Sequence, residues 1–548
     1  MNYKSKKLIY VFIISCLLAT QEAFSSSLSQ KVTDLTIATF ATLIKKPYDA
    51  CFQWYYGSAQ YQQALKELKK PFPPATETFK KLNENEKVPF AVSIGTALSQ
   101  TGHTQNIIHP HYLGTLLKKE SKKQKINAQQ FLKDHWGYVV AATADIICSN
   151  CGTTTHLKTT KPTDPKINNI VAILMNDKTE KLCLSICPNC KSDDIKELPQ
   201  TLHHFTKEQQ ICFVEQLKAL GVFEQTAATQ LPTYRLSLEL SDLVNRDGII
   251  DTKKLEEQAT FVNELKNPLI FMHHYANPQC KPHLFEDKKD ITWFANICAQ
   301  FIEKCPHVTH VCPISQIMGF GLQVQRQSLP PFCCNIDKDQ FLQNIVLAQV
   351  TASKAMKIKN PNLKVLLSHQ WKPIKPLHGI TDPRYGLEYL VCTIANRMYN
   401  QKLVQLVQSH QDSFDGIALS VYPMLYFDSI TPKGSNTSGI IDPEAALEAI
   451  VQTHKAFPNK DIYIVETGCN SNDPEKKKEF VDMTLHVCQL ARNMNIPVKT
   501  CFFWGHTNES YFEWNQLPNN NHFGAFESFS VDSINEYGKY LQSIVTQK

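Results

Sequence analysis

Asp461-Ile-Tyr-Ile-Val-Glu466-Thr-Gly468 is the stretch on which the reading of this chain turns. Ile462, Tyr463 and Val465 are strand formers, and no charge interrupts the run until Glu466. Thr467, Gly468, Cys469 and Asn470 then break the pattern, so Glu466 falls where strand becomes loop. In a parallel barrel that edge gathers catalytic side chains, because the loops leaving all the strands converge there. A strand-end Glu paired with Arg or Lys for structural reasons alone would leave the same trace, so the rest of the chain has to decide.

Working outward, seven more apolar runs share this character: Val88 to Ile94, Tyr234 to Glu239, Leu269 to His274, Val308 to Ile314, Lys364 to Gln370, Asp415 to Tyr422 and Val498 to Trp504. Helical patterns with apolar residues at three- and four-residue steps lie between them, at Lys207 to Leu220, Ile291 to Lys304, Gln340 to Met356, Glu388 to Val407 and Lys476 to Met494. Strand and helix in alternation predict an α/β fold, a TIM (β/α)8 barrel over residues 86–548. A chain of 548 residues, 43% hydrophobic and 10% aromatic, can bury such a core. The net charge of +6 is spread along the sequence. No basic stripe with interleaved aromatics occurs, which speaks against a nucleic-acid partner.

Residues 1–25 read as a signal peptide: Lys4, Lys6 and Lys7 precede the apolar run Leu8 to Ala19, and small residues follow around Ala23 to Ser27. That run is short for a membrane span, so the expectation is an exported protein, periplasmic or secreted, with no stable span once the leader is gone; a retained amphipathic start is the other reading. Residues 26–85 form a polar, partly helical N-terminal extension, clearest from Gln62 to Lys69.

One segment does not fit the barrel. Between the first and second runs, over 127–202, Cys148-Ser-Asn-Cys151 and Cys187-Pro-Asn-Cys190 make two CxxC knuckles. Four such thiolates can surround one structural zinc ion in a zinc-ribbon-like insert; disulfides are the alternative in an exported chain, and Cys183 is a spare ligand. Cys298, Cys305, Cys312, Cys392, Cys488 and Cys501 sit within apolar segments and read as buried thiols. Free thiols fit poorly with an oxidising space, and delivery into a reducing compartment would reconcile the two.

The ends of the runs carry Arg235, His274, Ser315 with Gln316, His369, Tyr422, Glu466 and Trp504, with Glu513-Trp514 beyond. Carboxylates and amides that grip hydroxyls, beside aromatic faces that stack on a ring, are what a sugar site needs. No cofactor is expected for catalysis.

These pieces resemble glycoside hydrolase family 1, the β-glucosidase-like retaining enzymes on a TIM barrel, over about Pro89 to Phe526. Phe90 to Ser99 is similar to the family's FLWGTATS strand, Tyr234-Arg-Leu-Ser237 to YRFS, and His273-His-Tyr-Ala-Asn-Pro278 to YHWDLP. Leu329-Pro-Pro331 and the helix after it match the stretch following the acid/base strand. Phe414 to Tyr422 resembles DFIGINYY, Ile464-Val-Glu-Thr-Gly468 resembles VTENG, and Phe512-Glu-Trp514 with Phe523-Gly524 resembles FEW and RFG. The resemblance implies Glu466 as nucleophile, Tyr422 as its hydrogen-bonding partner and Arg235 as the cation that keeps it ionised. It further implies His274 and Glu513 as ligands of sugar hydroxyls, Trp504 as a stacking platform, and Ser315 and Trp514 as further sugar contacts.

The family's Asn-Glu-Pro acid/base motif falls at Ser315-Gln316-Ile317, and no carboxylate occurs between Glu303 and Asp337. Retention uses two carboxyl groups about 5 Å apart, one attacking and one protonating the leaving oxygen, and an amide cannot do the second job. Gly102 stands where the family has a sugar-binding Gln, and Leu240 where it usually has Trp. The family's plant thioglucosidases carry a similar Gln and act on leaving groups that need no proton. The resemblance therefore implies either a retaining β-glycosidase impaired or specialised for activated glycosides, or a silent barrel that binds carbohydrate or a protein partner.

Overall fold

The computed structural model describes residues 58–84, 89–97, 145–148, 154–156, 195–197, 231–238, 240, 243–244, 248–273, 281, 284–325, 336–379, 382, 384–433, 440–505, 522–527 and 531–546, with the backbone alone at 95–97 and at the three segments between 145 and 197. In chain order the strands are β1 (Ala91–Ala97), β2 (Asp145–Cys148), β3 (Thr154–His156), β4 (Ile195–Glu197), β5 (Tyr234–Ser237), β6 (Pro268–His273), β7 (His310–Ile314), β8 (Lys364–Gln370), β9 (Ile374–Pro376), β10 (Gly416–Ser420), β11 (Leu425–Asp428), β12 (Thr431–Lys433), β13 (Asp461–Thr467) and β14 (Val498–Trp504). The helices are α1 (Ala59–Glu67), α2 (Ala75–Asn83), α3 (Thr252–Glu264), α4 (Lys288–Lys304), α5 (Ile317–Gln325), α6 (Lys338–Lys359), α7 (Tyr385–Asn396), α8 (Lys402–Val407), α9 (Pro443–Ala456), α10 (Pro474–Asn493) and α11 (Glu536–Thr546).

Eight strands, all parallel, close into a barrel in the order β1-β14-β13-β10-β8-β7-β6-β5. This is the TIM barrel the apolar runs predict. Every second residue turns inward, and Leu269, Phe271, Cys312, Leu366, Ala418, Tyr463, Val465 and Phe502 fill the interior. Toward the N-terminal end, His310 Nε2 lies 3.3 Å from Tyr463 Oη, and burial pulls the imidazole down to about 4, so it sits neutral in the floor of the barrel.

Five of the helices that return the chain between strands start on one device. Asp251, Asp287, Asp337, Asp442 and Asp473 each cap α3, α4, α6, α9 or α10, the carboxylate accepting backbone N–H groups of the first turn. Pro443 and Pro474 occupy the first helical position, where a missing N–H costs nothing. In the N-terminal extension, α2 packs against α10 and α11; Ala75 N donates to Asp482 Oδ1 at 2.6 Å, and Tyr540 Oη donates to the same oxygen at 2.5 Å. Cys298, Cys305, Cys312, Cys392, Cys469, Cys488 and Cys501 are buried free thiols; burial pushes Cys305 and Cys392 up to about 12, which makes them inert.

The chain divides into two compact units, one of Met1–Pro71, Lys372–Lys402 and Pro423–Asn436, the other of Phe72–Trp371, Leu403–Tyr422 and Thr437–Lys548. The second holds the barrel. Within the first, β9 and β12 flank β11, and α7 packs on β9 and β11. Glu388 on α7 is fully buried there and accepts from His378 N and Ser429 N, each at 2.9 Å, and pairs with His378 Nδ1 at 2.6 Å. One carboxylate thus ties two turns to a helix. The expected continuous helix from Glu388 to Val407 is instead α7, a wider π turn at Arg397–Gln401, and α8.

Gly505, at the end of β14, has φ +99°, and a Cβ there would come within 2.7 Å of Phe523 Cβ and 2.8 Å of the Phe523 carbonyl carbon. Gly505→Ala is expected to cost about 1–3 kcal/mol, read as a lowered denaturation midpoint; an unchanged midpoint would mean that the β14 turn does not depend on this backbone conformation.

Candidate functional site

The site is built at the C-terminal ends of the barrel strands, and its centre is Glu466 on β13. Strict alternation would turn Glu466 away from the interior, because Tyr463 and Val465 already face inward. The ladder prevents this. Leu419 pairs with Ile464, but the next residue, Ser420, pairs with Glu466, so β13 carries one extra residue at this point. Against β14 the pairing likewise steps from Ile464 to Thr467. Such a bulge re-aims the side chain that follows it, and here it brings Glu466 round to the barrel mouth, where Val421 N donates to its carbonyl at 2.8 Å.

Two hydrogen-bond donors and one cation converge on the carboxylate. Tyr422 Oη donates to Oε1 at 2.6 Å. Gln316 Nε2 lies 3.4 Å from Oε1 and 3.3 Å from Oε2. Arg235 Nη2 is 3.6 Å from Oε2. Arg235 is fully buried, its guanidinium 4.3 Å from the ring centre of Phe271 and 4.5 Å from that of Trp504. Two aromatic faces hold the cation and leave its edge for Glu466. Arg235 lowers the Glu466 carboxyl, as the sequence suggests, and Tyr422 and Gln316 add to this. Burial is the larger effect, however, and the carboxyl ends above its ordinary range.

Gln316 lies two residues beyond the end of β7. Its backbone adopts φ +42°, its N–H donates to Ser368 Oγ at 2.9 Å, and its carbonyl accepts from Phe320 N at 2.9 Å as α5 begins. Its amide donates to Ser420 Oγ at 3.1 Å besides reaching Glu466. Ser315 is buried, with its N–H donating to the His273 carbonyl at 2.9 Å. Trp504 is also buried, at 2% exposure, with Arg235 on its ring and Phe523 beside it. His369 packs edge-on to Trp371, ring centres 5.7 Å apart, and Trp371 Nε1 donates to Gln452 Oε1 at 2.7 Å.

Of the residues expected from sequence, the fold brings together Glu466, Tyr422, Arg235, Gln316 and Trp504, with Ser315 adjoining Gln316. His274, Glu513, Trp514, Cys151, Cys187 and Cys190 lie outside the described residues; Cys148 is described as the last backbone position of β2. Sequence reading missed Phe271, Ser368 and Ser420. The two serines left a trace, since each is a small polar residue near the end of an apolar run, two residues before Gln370 or Tyr422.

The raised Glu466 carboxyl has a consequence for stability. The folded state binds its proton more tightly than the unfolded chain, so stability from this group is full below the unfolded carboxyl range and is lost as pH rises through the folded value. The melting temperature of the native protein minus that of Glu466→Gln should therefore fall as pH is raised from about 4 to 8. Thermal unfolding across that range checks it; a difference that is flat or grows with pH contradicts the assignment.

No protein-family model and no curated protein matches the sequence. Solved structures do match in fold. One is the β-glycosidase BGL167, at 15% identity and TM-score 0.52, over 61% of this chain and 87% of that one. A second is the family 1 β-glucosidase from Thermotoga maritima in complex with isofagomine lactam, at 13% and 0.51, over 61% and 87%. A third is the β-glycosidase from Pyrococcus horikoshii, at 15% and 0.50, over 60% and 85%. At such identities the likeness is one of fold: this chain has a barrel of the kind on which those β-glycosidases are built.

Proposed function

We propose that the chain is a glycoside hydrolase-like protein of the family 1 type, whose Glu466 attacks the anomeric carbon of glycosides with good leaving groups. The observation that carries this reading is the convergence of Tyr422, Arg235 and Gln316 on one buried carboxylate at a strand end. A barrel needs no such arrangement to fold, and a buried carboxylate is costly unless paired. Glu466 supplies the electron pair; Tyr422 and Arg235 hold the carboxylate in place and balance its charge. Residue 316 has no proton to give, so the leaving group departs as an anion, and the glycosyl ester waits for water unassisted from that side. His274, Glu513, Trp514 and Ser315 are assigned to the sugar; Trp504, buried with Arg235 on its ring, holds the cation that faces Glu466 rather than a sugar face. Carbohydrate is thus the proposed ligand.

The second reading, a catalytically silent barrel that binds carbohydrate or a protein partner, is favoured by one observation. The Gln316 amide sits 3.3 Å from Glu466 Oε2, whereas retaining enzymes keep about 5 Å between the two groups. Turnover of activated aryl glycosides with and without azide, an external nucleophile, separates the readings. Release of the aryl group, faster with azide, is expected; none under either condition supports the silent barrel.

We further propose that Cys148, Cys151, Cys187 and Cys190 hold one structural zinc ion. In support, β2 ends at Cys148, where the chain bearing Cys151 leads to β3, and β4 begins opposite Cys148 at Ile195, a little after Cys190. In the sequence, Cys151 follows Cys148 by three residues and Cys190 precedes Ile195 by five, so one short segment on each side carries a CxxC pair. Export through the leader at 1–25 is proposed on its three-part pattern; no helix among the described residues is long and apolar enough to cross a membrane.

Two outcomes are expected. Gln316→Glu should raise turnover of poorly activated glycosides about a hundredfold. In its observed place the new carboxyl would touch Glu466, and the pair would share a proton, so an alkaline limb absent from the native pH profile should appear; no gain with any substrate contradicts the glycosidase reading. Purified protein should contain about one zinc equivalent, measured by elemental analysis; metal-free protein with Cys148 and Cys151 in disulfides contradicts the zinc assignment.

A further inference from the structure

We infer that Gln316 is a built-in latch on Glu466, held shut by Ser420 and Ser368, and that any ligand of the Glu466 carboxylate must first displace it. The inference rests on the glycoside reading, which supplies the ligand and the probe.

An amide nitrogen carries two N–H groups, and the geometry uses both. One reaches Ser420 Oγ at 3.1 Å, and the other forks between the two Glu466 oxygens at 3.4 and 3.3 Å. The amide cannot be turned the other way, because its carbonyl oxygen would then face the carboxylate. Ser368 fixes the same residue from behind by accepting its backbone N–H at 2.9 Å. The three contacts come from the ends of β8, β10 and β13, so the latch spans three adjacent strands of the barrel. Gln316 also stays at φ +42°, a conformation that residues with a side chain rarely adopt and that persists only where the surroundings impose it.

A sugar whose anomeric centre approached Glu466 would meet the Gln316 nitrogen in the same space. Binding therefore includes the loss of a hydrogen bond to a charged acceptor, worth about tenfold to a hundredfold in apparent affinity. Ser420 and Ser368 are positioning residues: each hydroxyl holds Gln316, one at its side-chain amide and one at its backbone N–H, and acts on Glu466 through it.

The test is calorimetric titration of the full chain with isofagomine, a cationic sugar mimic that pairs with a carboxylate at the anomeric position. Gln316→Gly suits φ +42° and keeps the backbone relaxed; it should bind about tenfold or more tightly than the native protein. Ser420→Ala, which frees one side of the amide, should bind a few-fold more tightly. Equal or weaker binding by both variants, with native-like thermal unfolding, overturns the latch and leaves the glycoside reading standing. Absence of binding by all three proteins overturns the glycoside reading, and the latch with it.

Discussion

The fully buried guanidinium of Arg235 is the constraint on which the site depends. A charge in the middle of a barrel has to be balanced in place, and the fold meets this with Phe271 and Trp504 on its two faces and Glu466 at its edge. Everything near the strand ends follows from keeping that pair together. The bulge in β13 brings Glu466 within reach, Tyr422 satisfies one carboxylate oxygen at 2.6 Å, and Gln316 closes the remaining side. Because burial outweighs these partners, the carboxyl is harder to ionise than one in water.

The barrel itself was legible, because a parallel strand buried on both faces reads as an apolar run. Lys364 to Gln370 and Val498 to Trp504 match their strands to the residue, and Asp461 to Glu466 falls one residue short. The strand-end residues were legible for the same reason: where the run stops, the mouth begins. What could not be read was anything that depends on a departure from regular pairing. Alternation counted along β13 turns Glu466 outward, and only the ladder with β10 shows the extra residue that corrects it. The positive φ of Gln316 carries no sequence signal, since Gly or Asn would be the ordinary residue there.

Shorter elements were missed for a different reason. β9 and β12 are three residues each and contain Pro and Lys, so neither produces a hydrophobic period, and β11 pairs with them through backbone groups. Glu388, read only as the start of a helix, turns out to be the buried carboxylate that organises this small unit, a role set by the backbone N–H groups of His378 and Ser429. Arg235 shows the converse. Its identity and place were legible, but the balance between its charge and the burial of Glu466 is a property of the packed interior.

A buried carboxylate with an amide beside it, and no second carboxyl there among the described residues, is the chemical character of this strand-end site. Covalent trapping tests the central assignment most directly. Incubation with a 2-fluoro glycoside bearing a dinitrophenyl leaving group, followed by peptic digestion and mass spectrometry, should find the sugar esterified to Glu466, because the covalent intermediate defines retention. An adduct on any other residue, in a protein that still turns over aryl glycosides, would contradict it.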